Sequence, residues 1–351
     1  MLNSVDAWYC TREDVQRALD LKSTSRSAQQ VDRIIGEVSR QVEVDLGRVF
    51  YPLLTTRKFD WPPLPYAGSF PWRVWLNQYE VITVSSLTTG GQTLAPGTYF
   101  LEPVNEGPPF NRLEINLGTN AAFASGATWQ QSLVMTGLFG YDDKQDPAGS
   151  LSAAVSDLVT ARFDLSDSST WGVGSILVCE GERVRVTGRQ ALDTGLDLSA
   201  GVDAKASTDA LPLTGSGVNQ WEVITVGTEK MLVLDVVGTT LTVKRAWDGT
   251  TLAAHNPGDS VFAYRRALLG GRGDFGSTAA THAQNAVVNV QRIPVRGLAV
   301  AEAVHRLTTE EAGYLTVRGS GDSESAQGPN IKDVRDEFFT RYGRKVRFRT
   351  I

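Results

Sequence analysis

The hydrophobic pattern changes twice along the 351-residue chain, and this limits its possible folds more than any other feature. Apolar residues recur at intervals of three and four in roughly the first 50 and the last 60 residues, which predicts amphipathic helices. Between them, short β-prone runs alternate with turns rich in glycine and proline. The pattern predicts an α+β protein: a helical bundle built from both chain ends, with inserted all-β modules that are sandwich or barrel-like.

The predicted elements divide the chain into three domains. Residues 1–54 together with 266–351 form the predicted helical core, 55–150 a β-sandwich-like domain, and 151–265 a second inserted β domain. A chain of this length exceeds what one ordinary hydrophobic core organises, so several domains are expected.

The strongest predicted helix begins at Ser27, where Gln30 completes a capping box, and ends at Gly47. Its apolar face comprises Val31, Ile34, Ile35, Val38, Val42 and Leu46. A shorter helix capped by Thr11 precedes it, and Asn330 caps the predicted last helix.

Two segments of the middle region have similar patterns. Residues 177–186 align with 224–233 at an offset of 47 positions, which predicts two matched β-hairpins. Any two amphipathic hairpins look alike, however, so this single pair of segments leaves a duplication and a coincidence both open.

Composition predicts a soluble protein that stays in the cytoplasm where it is made. The chain is 41% hydrophobic and 21% charged, and it contains no apolar run long enough to span a membrane. Its first residues lack the basic and apolar segments of a signal peptide. Cys10 and Cys179 are therefore expected to be two free thiols, not a disulfide or a metal-binding pair.

The residue pattern predicts no catalytic, cofactor or metal site, and the protein is not expected to be an enzyme. His255, His282 and His305 fall in a turn, a second turn and a helix, none beside a nucleophile in the sequence. Residues 271–276 match the letters of a dinucleotide fingerprint but lack its strand–turn–helix context, so a simple turn is the better interpretation.

Four tryptophans lie in the first β region, at Trp61, Trp72, Trp75 and Trp129. Packing in the core or at its rim is the commoner role of such residues in a small β domain, and a platform for glycans or bases is the alternative.

The net charge of −5 conceals a basic segment at residues 341–351, where five cations stand without an acid. This segment could be a solvated end, a docking segment or a DNA-phosphate contact. Its cations alternate with apolar residues, which favours docking into a groove of a partner. The predicted docking residues are Arg341, Arg344, Lys345, Arg347, Phe348, Arg349 and Ile351.

Several segments together resemble the head-to-tail adaptor, or connector, proteins of long-tailed bacteriophages. These are residues 47–50 after the opening helices, 81–87, 134–141, 336–344, and the hairpin 229–233 with 241–245. The resemblance covers most of the chain and consists of packing and turn patterns.

The resemblance implies a structural virion protein at the head–tail interface. Such proteins form a homo-oligomeric ring, a dodecamer, beneath the portal, extend the DNA channel and dock the next neck or tail-side stopper protein. DNA passes through without sequence-specific binding, no membrane is involved, and an acidic body suits such a channel. The competing hypothesis is a β-rich protein that recognises glycans or serves as a tail-associated recognition module.

Overall fold

The computed structural model describes residues 7–19, 25–61, 70–316 and 331–343, with the backbone alone at 25–27, 265 and 311–316. These ranges contain four α-helices and 17 strands. The chain divides into two compact units. Unit 1 comprises Met1–Ser39, Gln145–Arg292 and Ala299–Ala326, and unit 2 comprises Arg40–Lys144, Ile293–Leu298 and Gln327–Ile351.

The helices are α1 (Arg12–Ala18), α2 (Ser25–Leu46), α3 (Arg296–Thr316) and α4 (Ile331–Tyr342). Thr11 caps α1, as predicted, and it forms a reciprocal capping box with Asp14. All six residues of the predicted apolar face of α2 are buried, which confirms that face. The proposed caps at Ser27 and Asn330 lie outside the described side chains. No described helix has both the length and the apolar character needed to cross a membrane.

Unit 2 contains two antiparallel sheets. The strands are β1 (Leu53–Phe59), β2 (Arg73–Trp75), β3 (Val81–Thr89), β4 (Gln92–Thr93), β5 (Tyr99–Glu102), β6 (Arg112–Ile115) and β7 (Leu133–Phe139). One sheet has the order β1-β7-β3-β4 and the other β2-β6-β5. Gly137 on β7 allows close approach of β3, because a Cβ there would lie 2.1 Å from the Thr83 carbonyl oxygen. A shared core that includes Trp61, Leu87 and Met135 holds the sheets together.

Unit 1 is built on one ten-stranded sheet of order β12-β15-β14-β13-β16-β11-β10-β17-β8, with β9 paired to β16. Its strands are β8 (Gln145–Ser150), β9 (Arg162–Asp164), β10 (Ile176–Cys179), β11 (Glu182–Asp197), β12 (Ala210–Pro212), β13 (Val223–Val226), β14 (Glu229–Val237), β15 (Thr240–Lys244), β16 (Ser260–Gly270) and β17 (Val287–Gln291). Two separate apolar clusters form the core of this unit.

The prediction of a helical bundle built from both chain ends is wrong. The helices exist, and α2 meets α3 through an Arg33–Glu310 ion pair of 2.9 Å, but sheets form most of the core of each unit. The N-terminus of α1 is instead bonded to the loop before β10 in unit 1, where the Arg12 amide donates to the Val173 carbonyl at 3.0 Å. In addition, part of β16 and all of β17 lie within residues 266–291, which the sequence interpretation assigned to the helical core.

The sheet of unit 1 contains the same β module twice, one copy inserted into the other. We call residues 145–190 with 267–291 the outer copy and residues 191–266 the inner copy. The hairpin β10–β11 pairs Cys179 with Glu182, and the hairpin β13–β14 pairs Val226 with Glu229. The predicted pair of matched hairpins is therefore confirmed.

The pairing of the later strands shows that the duplication extends beyond the hairpins. In the outer copy Val186 pairs with Gly270, and Arg189 with Leu268. In the inner copy Val233 pairs with Val243, and Val236 with Leu241. Even the irregularity in register recurs, after Val186 in one copy and after Val233 in the other. Such agreement in register is expected of a duplicated module and not of two unrelated hairpins.

Candidate functional site

The outer copy encloses a cluster of charged residues around the Glu182 carboxylate. Arg272 donates to both carboxylate oxygens, at 2.8 and 3.1 Å, and the ring Nε2 of His282 lies 2.8 Å from Oε2. The backbone amides of Gly273 and Ala280 complete the set at 2.9 and 3.0 Å. The buried carboxylate thus makes five hydrogen bonds with four residues.

The inner copy encloses an equivalent cluster around Glu229. Arg245 donates to both oxygens at 2.8 Å, and Nε2 of His255 lies 2.9 Å from Oε2. The amides of Ala246 and Ala253 donate at 2.9 and 3.1 Å. The two clusters correspond atom for atom, so we treat them as one structural feature that the duplicated module contains twice.

A short loop positions each arginine and histidine. Each arginine lies one or two positions after the end of a strand, and the histidine follows ten positions after the arginine. Two of the residues between them adopt left-handed backbone conformations. The left-handed residues are Gly273 and Phe275 in the outer copy, and Ala246 and Asp248 in the inner copy. Each arginine also donates to backbone carbonyls of a preceding loop. The loop is thereby tied to the hairpin that carries the glutamate.

The sequence interpretation missed both clusters. It treated the three histidines as unconnected, whereas His255 and His282 each contact a buried glutamate, and only His305 is exposed on α3. The turn predicted at residues 271–276 is confirmed as a short 3-10 turn, and its Arg272 belongs to the outer cluster. The repeated spacing Arg–x9–His, with a glycine, a hydroxyl residue and a threonine between, is the pattern that could have revealed them.

Hydrogen bonding, not burial, decides the charge state of the two glutamates. Burial by itself raises the pKa of Glu182, but the bonds from Arg272, the Ala280 amide, His282 and the Gly273 amide outweigh it and lower that pKa to about 2. The same balance lowers the pKa of Glu229 to about 2. Both carboxylates therefore stay ionised near neutral pH and are poorly suited to proton transfer there.

This charge state predicts a specific loss of stability in acid. Because the folded pKa of about 2 lies below the ordinary 4.5 of an unfolded glutamate, the stabilisation is complete above about pH 4.5 and is lost as the pH falls toward 2. The difference corresponds to roughly 3 kcal/mol per cluster. Denaturant midpoints measured at several pH values should fall steeply below pH 4.5.

A double variant, Glu182→Gln with Glu229→Gln, serves as the comparison for the acid experiment. It is expected to be less stable at pH 7 and to show a flatter pH dependence over the same range, because the two carboxylates no longer titrate. An equally steep curve in this variant would show that other groups cause the acid sensitivity.

A third buried carboxylate, Glu222, has no counterpart in the outer copy, where Ser175 occupies the equivalent position. It accepts hydrogen bonds from Arg266 at 2.8 and 2.5 Å and from the amide and hydroxyl of Ser168 at 2.8 and 2.9 Å. Arg266 lies where the chain re-enters the outer copy. The bonds from Ser168 to Glu222 therefore join the outer copy to the inner one.

A cleft of about 280 Å³ lies between α1 and the inner copy. Its walls include the exposed side chains of Arg17, Trp221 and Lys244, with Trp247 half-buried beside them. Trp221 is 55% exposed and has a positive φ of 69°. The equivalent residue of the outer copy is Gly174, at φ 99°. A bulky residue in this left-handed conformation costs stability, and such strained residues cluster at functional sites. We therefore treat this cleft as a candidate binding surface.

Of the predicted docking residues, Arg341 alone falls within the described chain, and Arg344, Lys345, Arg347, Phe348, Arg349 and Ile351 lie outside it. Arg341 is exposed near the end of α4, next to the buried Tyr342. The Tyr342 ring makes edge contacts with Phe50 and Tyr141, at centroid distances of 5.7 and 5.5 Å. Its hydroxyl donates to the Pro294 carbonyl at 3.2 Å. The end of α4 is thus fixed in unit 2.

The four tryptophans of unit 2 divide into two classes. Trp61 is buried against Phe123 at 4.7 Å, and Trp72 is partly buried against the same core, as predicted. Trp75 and Trp129 are 53% and 39% exposed, which fits the predicted position at the rim.

Cys10 and Cys179 are both buried and neither forms a disulfide, which confirms the predicted thiols. Cys179 lies close to Glu180 and His282, and within the described residues this is the group whose side chains could share a metal ion.

Comparisons of the chain with protein-family models, with curated proteins and with solved structures found no match.

Proposed function

We propose that this chain is a structural subunit of the neck of a long-tailed bacteriophage, which forms a ring between portal and tail. In this role it extends the DNA channel and docks the next neck or tail component. The sequence resemblance to head-to-tail adaptor proteins suggests the role, and features of both units support it.

The buried charged clusters of unit 1 support a scaffolding role. An enzyme needs groups that change protonation or contact a substrate, whereas Glu182 and Glu229 are fully hydrogen-bonded inside the protein. Each cluster ties a hairpin to a separate loop, which in the outer copy is 90 or more positions away in the sequence. A scaffold that must keep its shape under the forces of genome packaging benefits from such connections.

The observation that carries the proposal is the fixed end of α4. Tyr342 anchors this end by three aromatic neighbours, Phe50, Tyr141 and Phe338, and a hydrogen bond to Pro294. The basic segment 344–349 follows directly in the sequence. A charged segment that continues from a fixed point has less freedom to lose on binding than one that follows a flexible region. This arrangement suits a segment that docks onto an acidic groove of a neighbouring subunit or of the portal.

The distribution of charge fits the same role. Without the five cations of residues 341–351, the chain carries 29 basic and 39 acidic residues, a net charge of −10. An acidic surface repels DNA and lets it slide through a channel without binding. The basic segment can then serve for assembly.

The experiment that tests this proposal mixes the purified protein with portal rings of the same virus and measures co-sedimentation. The full-length chain is expected to sediment with the portal. A variant that ends at Gly343 is expected to lose the association by at least tenfold while remaining folded, because the charge-assisted contacts reside in the deleted segment.

A control variant that keeps all charges separates docking into a groove from electrostatic attraction of the basic segment to the portal. Replacing Phe348 by serine removes the apolar contact and leaves every cation in place, so weaker co-sedimentation of this variant supports insertion into a groove. If the folded full-length protein does not associate with the portal, the adaptor proposal is wrong. Glycan recognition through the Trp221 cleft would then become the leading hypothesis.

A further inference from the structure

The outer copy differs from the inner copy at the tip of its hairpin, next to the shared histidine. Cys179 and Glu180 of the outer copy occupy the positions of Val226 and Gly227 in the inner copy. Shared residues of a duplicated module maintain its fold, whereas residues that differ in one copy are candidates for a separate role. Both differences introduce side chains that bind metals.

Both ring nitrogens of His282 face carboxylates. Its Nε2 lies 2.8 Å from the Glu182 carboxylate and its Nδ1 lies 2.8 Å from the Glu180 carboxylate. A neutral imidazole has one N–H and can satisfy one of these two acceptors. The inner copy avoids this situation, because the nearest carboxylate to Nδ1 of His255, that of Asp259, is 3.9 Å away.

The backbone supports a specific role for Glu180. This residue adopts φ 49°, a left-handed conformation that the inner copy assigns to Gly227 at φ 58°. A glutamate in this conformation costs roughly 1 kcal/mol relative to glycine. Its side chain is 57% exposed, so it connects the buried histidine and thiol to solvent.

We propose that Cys179, Glu180 and His282 form a binding site for a divalent transition-metal ion, of which Zn²⁺ is the best match. The ligand atoms of the three residues lie within 4.8 Å of one another. Thiolate, imidazole and carboxylate ligands together are typical of Zn²⁺. Nδ1 of His282 would bind the ion, while Nε2–H donates to Glu182. A carboxylate behind a metal-binding histidine is the usual way to fix its orientation and tautomer.

Metal binding at this site requires a proton to leave. Burial, followed by the nearby carboxylates of Glu180 and Glu182, raises the pKa of the Cys179 thiol to about 11. The ion therefore replaces the thiol proton, forming an S–metal bond and releasing one H⁺ to solvent. A fourth coordination position remains for water or for a group from a partner.

The test uses Co²⁺ as a spectroscopic probe on the full-length protein after removal of metals by chelation. We expect one Co²⁺ per chain, with the thiolate-to-cobalt charge-transfer absorption that a sulfur ligand produces, and competition by Zn²⁺ but not by Mg²⁺. Glu180→Gly and Cys179→Val, which introduce the residues of the inner copy, are each expected to weaken binding at least tenfold. Cys10→Ser, at the other buried thiol, should leave the spectrum unchanged.

The Glu180→Gly variant is expected to remain folded, because glycine adopts the left-handed conformation at this position without strain. The buried Cys179 and His282 are unchanged in this variant. Absence of stoichiometric cobalt, absence of the charge-transfer band, or equal binding by the Glu180→Gly and Cys179→Val variants would each overturn the proposal.

Discussion

Replacing Glu229 by alanine is expected to lower the free energy of unfolding by about 3–5 kcal/mol, the usual cost of removing one partner of a buried ion pair. The variant leaves the Arg245 guanidinium buried without its carboxylate, and it removes the acceptor of the Ala246 and Ala253 amides. Equilibrium denaturation of the full-length protein measures the change. Glu182→Ala should have an effect of similar size, because the outer cluster has the same bonds.

An exposed acid provides the matched control. Asp203 is paired with Lys205 at 3.4 Å, and both side chains are about 70% exposed. Asp203→Ala is expected to change the free energy of unfolding by less than about 0.5 kcal/mol. If Glu229→Ala were as mild as this control, the cluster would not hold the loop to the hairpin, contrary to our interpretation.

Removing the whole inner copy is expected to leave the outer copy folded. The inner copy joins its own equivalent strands, at Val237 and Thr240, by the turn Gly238-Thr239. Replacing residues 191–266 by Gly-Thr would join Gln190 to Ala267 in the same way, and these two residues already pair across β11 and β16. Amide hydrogen exchange should show continued protection of β10 and β17.

The deletion is predicted to cost some stability without loss of the fold. Glu222 and Arg266 are removed together, so no unpaired charge remains, but the buried amide and hydroxyl of Ser168 lose their acceptor. Leaving a buried donor without an acceptor costs about 1–3 kcal/mol. A control replaces residues 190–266 by the same turn, which shifts the pairing of β11 with β16 by one residue. This control should unfold, because a one-residue shift moves the side chains of β11 to the opposite face of the sheet. Equal protection in both deletions would contradict the nested duplication.

The sequence predicted local structure better than architecture. The apolar face of α2 and the matched hairpins followed from periodicity, because these depend on residues close together in the chain. The fold class was wrong because helical periodicity at the chain ends does not reveal which partner buries the apolar face. In unit 1, for example, α1 is bonded through Arg12 to Val173, in the loop that precedes β10.

The clusters were hidden by the nesting of the two copies. Glu182 and Glu229 are 47 positions apart, whereas Arg245 and Arg272 are 27 apart and in the reverse order of copies. A search at one fixed offset therefore finds the hairpins and misses the loops that complete them. In the outer copy the contact also spans a large separation, since Arg272 follows Glu182 by 90 positions, whereas Arg245 follows Glu229 by 16.

Electron images of the complex with portal rings test most directly whether the protein assembles into the proposed ring. We predict a second ring stacked on the portal axis, with twelve copies of the 38.1 kDa chain visible in end-on averages. Images of bare portal rings beside well-folded free protein, or of single copies bound away from the axis, would contradict it.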